Sequence, residues 1–125
     1  MGKMILNGIE YVGGDSGYTY STTEQVIETW IDGKPLYEKV LEVNSPNGNG
    51  TLADLSSYSI DTMVNIRWLL YTSTGDIIYG SSSYYQVIQV YFTISSGLIK
   101  MDYNNASWAI SRPMKVVIQY TKTTD

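Results

Sequence analysis

Val64-Asn65-Ile66-Arg67-Trp68-Leu69-Leu70-Tyr71 places Val64, Ile66, Trp68 and Leu70 at every second position. Successive side chains of an extended chain point to opposite faces, so this octapeptide builds one apolar face and reads as a strand. The same period returns downstream. Val87 to Ile94 sets Ile88, Val90, Phe92 and Ile94 together, and Met114 to Lys122 aligns Met114, Val116, Ile118 and Tyr120.

Turn chemistry separates these runs. Ser73-Thr74-Gly75-Asp76 leads into Ile77-Ile78-Tyr79, and Gly80-Ser81-Ser82-Ser83 turns the chain again. Ser95-Ser96-Gly97 closes a short hairpin into Leu98 to Tyr103, and Asn104-Asn105-Ala106 precedes a short strand expected at Ser107 to Ile110. Upstream, Val26 to Ile31 runs through Asp32-Gly33 into Leu36 to Val43, a hairpin whose dipeptide suits a type I′ turn. Pro35 removes one ladder donor, which puts that hairpin at a sheet edge. Asn44 to Gly50 is a loop by composition, and Leu52 to Met63 has no decisive pattern. Seven to nine short strands without a helical period predict an all-β, antiparallel, jelly-roll-like β-sandwich.

Composition agrees. The chain has 125 residues, enough for one domain, with 12 Tyr against one Phe. Tyr and Thr favour strands, while helix-forming Ala, Glu and Lys are sparse. The net charge of −4 and the scattered cations argue against a nucleic-acid surface. Cys and His are absent, which excludes disulfides, thiol nucleophiles, Cys/His zinc sites and histidine proton shuttles. No apolar run reaches the length of a membrane helix, and the start resembles neither a secretory signal nor a myristoylation site.

Residues 1–25 differ from the remainder. Ile5 to Val12 runs into Gly13-Gly14-Asp15-Ser16-Gly17, a glycine cluster that reads as a flexible joint in an extended N-terminal segment. Residues 26–125 form the expected sandwich domain. Ser21-Thr22-Thr23-Glu24 matches a capping box, but the β-branched and aromatic residues after it favour a strand.

The faces opposite the apolar stripes should be polar where they meet water. They hold Leu69 and Tyr71, Val87 and Tyr91, and Val117. Two readings account for them: isolated apolar residues at curling strand ends, or a second buried surface made by self-association.

Tyr20 to Tyr37, with Trp30-Ile31-Asp32-Gly33-Lys34-Pro35-Leu36-Tyr37 at its heart, resembles a recurrent module of phage and prophage tail-fibre or tail-appendage proteins from Firmicutes. The ending Gln119-Tyr120-Thr121-Lys122-Thr123-Thr124-Asp125 and the opening Asn7-Gly8-Ile9-Glu10-Tyr11 resemble the same module, so the likeness brackets almost the whole chain. Glu28-Thr29 departs from it, since relatives often carry glycine there. The resemblance implies a non-enzymatic virion structural protein near the distal end of a tail fibre, usually a homotrimer, whose loops meet the bacterial surface. The Met1 start and the family-like end suit a complete short gene product, and an excised tip would also begin with Met. Apart from the family, Trp30 and Tyr37 flank the turn and are placed to pack across the hairpin.

Two sets of aromatics beside polar loops have the composition of sugar contacts, since Tyr and Trp faces stack on sugar rings while neighbouring amides bind hydroxyls. They are Tyr84-Tyr85, and Tyr103-Asn104-Asn105 with Trp108; the alternative for each is a corner anchor. This composition also admits a monomeric carbohydrate-binding module with a bacterial surface polysaccharide as ligand. A glycan hydrolase would need two facing carboxylates, and no motif singles out a pair. No cofactor motif or metal-ligand spacing is present, and Asn47-Gly48-Asn49-Gly50 lacks the carboxylate a Ca²⁺ loop needs.

Overall fold

The computed structural model describes residues 19–81 and 87–125, so the expected joint at residues 13–17 lies outside the described residues. Eight strands follow in order: β1 Gln25–Thr29, β2 Pro35–Asn44, β3 Gly50–Asp54, β4 Ile60–Tyr71, β5 Ile77–Ser81, β6 Ile88–Thr93, β7 Leu98–Tyr103 and β8 Pro113–Lys122. All pairings are antiparallel, in a five-stranded sheet ordered β1-β2-β8-β4-β5 and a three-stranded sheet ordered β3-β7-β6. The chain crosses between sheets after β2, β3, β5 and β7. The protein is thus an all-β sandwich, its strands divided five and three.

The stripes seen in sequence meet inside. Met114, Val116, Ile118 and Tyr120 of β8 lie beside Ile66, Trp68 and Leu70 of β4, facing Ile88, Val90, Ile99 and Met101 of the smaller sheet. Trp68 lies across Gly80 on β5, where any Cβ would run into the indole. Glycine there is what lets the largest core side chain close this end.

Several local expectations change. Val64 does not share the inner face with Ile66, because a bulge between Met63 and Asn65 adds a residue and hands the inward place to Met63. Ile94 falls beyond the end of β6 and is 61% exposed. Ser107–Ala109 is a 3₁₀ turn rather than a strand; Ala106 and Ala109, three residues apart, both enter the core from it.

At the first hairpin only Gly33 has positive φ, at 87°, whereas a type I′ turn needs it at both central residues. The Gly33 N–H donates to the Trp30 carbonyl and the Trp30 N–H to the Lys34 carbonyl. This is the three-residue loop in which a left-handed glycine closes the turn. The hairpin does lie at the sheet edge, with β1 outermost. Tyr37 packs not across the hairpin on Trp30 but against Tyr120 of β8, ring centroids 5.8 Å apart.

Candidate functional site

The solvent side of the five-stranded sheet is the molecule's unusual surface. Val40 of β2 pairs with Val117 of β8, and Leu69 of β4 pairs with Tyr79 of β5. Each alternates with an inward residue, so all four face outward, and Tyr20 closes the near side. Together they line a cleft of about 610 Å³, in the range of small-ligand pockets. Its walls are apolar and aromatic, and Tyr79 is 66% exposed.

Among the described residues, two cations stand in these walls and no carboxylate does. Lys115 is paired with Glu42 at 2.7 Å, and that hydrogen bond and charge raise the lysine above its ordinary value. Arg67 is different. Its guanidinium lies 5.8 Å from the Tyr20 ring centroid and donates to the Tyr20 hydroxyl at 3.4 Å. It pairs with no carboxylate among the described residues.

Of the five residues expected to form a self-association surface, Leu69 and Val117 lie in this cleft, and half-buried Tyr71 follows along β4 on the same face. Tyr91 sits instead on the outer side of the smaller sheet. Its hydroxyl donates to Asp102 at 3.2 Å, and burial, then Asp102, raises its pKa. Val87 departs from the expectation. It precedes β6, its carbonyl accepts from the Asn104 N–H, and its side chain packs against the core. The alternation assumed for Val87 and Tyr91 starts only at Ile88.

The expected sugar contacts divide as well. Tyr84 and Tyr85 lie outside the described residues. Tyr103 packs against the core, its hydroxyl donating to the Pro46 carbonyl and its N–H to the Asn49 side chain, both at 2.7 Å. That is a corner anchor, and burial raises its pKa. Asn104 is exposed, and Trp108, in the 3₁₀ turn, is 42% exposed.

Several carboxylates have structural partners. At the end of the inner face, Glu24 accepts from the Tyr120 hydroxyl and from Lys122. Lys122 lies 4.5 Å above the Tyr37 ring, and the Tyr37 hydroxyl donates to Asp125. Asp61 pairs with Lys34, and Asp54 accepts the Ser56 N–H. No group of three or more potential metal ligands occurs among the described residues, and no helix there is long and apolar enough to cross a membrane.

Sequence reasoning missed Tyr20, Val40, Arg67 and Tyr79 as parts of one site. Val40 and Tyr79 do alternate with inward residues, and that was the available signal. Their convergence depends on the order β2-β8-β4-β5, which no local pattern encodes. Comparison with family models, with curated proteins and with solved structures finds no match.

Proposed function

We propose that this protein is a non-enzymatic structural module of a phage tail appendage, acting in the virion tail as a homotrimer that presents its loops to the bacterial surface. One observation carries the reading: the outer face of the larger sheet, which should meet water, brings Val40, Val117, Leu69 and Tyr79 of β2, β8, β4 and β5 together in one apolar patch. Contiguous apolar surface rimmed by polar residues marks an interaction site. The resemblance of the Trp30–Tyr37 and Gln119–Asp125 segments to tail-appendage modules supplies the biological setting, and the structural employment of Glu24, Glu42, Asp54, Asp61 and Asp102 supports the non-enzymatic part.

Light scattering coupled to size exclusion tests it. The expected mass is three times 14.0 kDa. Leu69→Lys, which puts a charge into the apolar face, should return the mass to that of one chain while circular dichroism keeps its strand signal. A wild-type mass of one chain sinks the trimer.

A second reading, a monomeric carbohydrate-binding module, draws on exposed Trp108, four residues after exposed Asn104. It predicts that cell-wall polysaccharide shifts the tryptophan emission and that Trp108→Ala abolishes the shift. Emission unchanged at saturating polysaccharide removes it.

A further inference from the structure

The β1–β2 hairpin ends in the most exposed apolar side chain among the described residues, Ile31, at 91%. Asp32 follows it, exposed, with one carboxylate oxygen accepting the Lys34 N–H and no ion pair among the described residues. On the outer face of the same sheet lies a cleft with apolar walls and two cations, where, among the described residues, no carboxylate lines the walls and Arg67 has no acidic partner. One feature is an apolar knob beside a negative charge, the other an apolar hole beside a positive one. A folded chain cannot join its own two halves. The tip and Val40 are held apart by strand β2, whose residues from Pro35 to Val40 span roughly 17 Å of rigid sheet.

We infer that the cleft of each copy receives the hairpin tip of a second copy, with Ile31 seated among Val40, Leu69 and Val117 and Asp32 paired with Arg67. The inference rests on the homotrimer proposed above and names its contact. Knob and hole are different patches, and in the trimer proposed above their contact runs head to tail and closes as a ring. In that ring each copy gives one tip and receives one. The apolar fit supplies burial, and the Asp32–Arg67 pair sets orientation and excludes wrong registers.

A charge exchange on the full chain, read as mass by light scattering, tests the contact. Wild type is expected at three chains. Asp32→Arg alone and Arg67→Asp alone should each fall to 14.0 kDa, and the double exchange should restore the trimer. Asp32→Asn keeps a turn acceptor while removing the charge, so it separates loss of the pair from damage to the hairpin; it should weaken the trimer, seen as dissociation at lower protein concentration. Ile31→Asp should give one chain with an unchanged strand signal. A wild-type trimer that survives both single exchanges overturns this contact and leaves the trimer standing. Dissociation by the single exchanges without rescue by the double also overturns it. A monomeric wild type overturns the trimer and the contact together.

Discussion

Glu24 shows how much of this fold hangs on single polar side chains. It stands before β1, yet its carboxylate takes hydrogen bonds from Tyr120 and Lys122 at the far end of the sequence, joining the chain's beginning to its last strand. Partial burial pushes the carboxyl up, but the hydrogen bonds from Lys122 and Tyr120, with the charges of Lys122 and Lys39, more than offset this, so it sits below the ordinary value of 4.5. Tyr120 is pushed up, first by burial and then by Glu24. The sign follows directly. A carboxyl depressed by folding contributes stability above its unfolded pKa and loses it as pH falls through the folded one. Glu24→Gln should therefore lower stability by about 1 kcal/mol at neutral pH. The difference from wild type should shrink as pH drops below 4.5, as thermal melts across pH 3 to 7 can measure. A constant difference over that range would assign the loss to packing.

At the level of elements, the β6–β7 hairpin and the Ser56–Tyr58 turn depend on one glycine. Gly97 has φ of 72°, its N–H donates to Thr93, and its carbonyl accepts from Leu55. A Cβ there would stand 2.8 Å from the Ser56 Cα, which is backbone and cannot swing aside. Gly97→Ala should cost about 1–2 kcal/mol for the left-handed conformation and roughly 1–3 kcal/mol more for the overlap. Chemical denaturation should show that loss as a lower midpoint at unchanged slope. A change below about 0.5 kcal/mol would mean that the turn moves aside. The sequence marked Gly97 as a hairpin residue, since Ser-Ser-Gly is turn chemistry. It carried no sign of the Ser56 contact, which comes from a segment some forty residues away.

For the whole molecule, the outer face of the five-stranded sheet is where the proposed function is tested. If it is a subunit contact, the Leu69→Lys variant dissociates and the charge exchange at Asp32 and Arg67 behaves as a pair. If it is not, the apolar face stays in water and the exposed Trp108 becomes the surface to pursue. Only part of this face was legible beforehand. Leu69, Tyr71 and Val117 stand opposite obvious apolar stripes, and their outward direction follows from alternation alone. Val87 was misread because alternation begins only where a strand begins.

What the sequence determined by itself was the local period: that Ile66, Trp68 and Leu70, Ile88 and Val90, and Met114, Val116, Ile118 and Tyr120 face inward, where most turns fall, and hence an all-β sandwich. Those features depend on neighbours two or three positions away and are written in order along the chain. Tertiary structure alone decided the strand order, the bulge that turns Met63 inward, the 3₁₀ turn at Ser107–Ala109 and the gathering of Val40, Arg67, Tyr79 and Val117 into one cleft. The reason is physical. The side on which a residue points is set by its own backbone, whereas the residue lying beside it on the next strand is set by which strands hydrogen-bond, and that choice belongs to the packing of the entire chain.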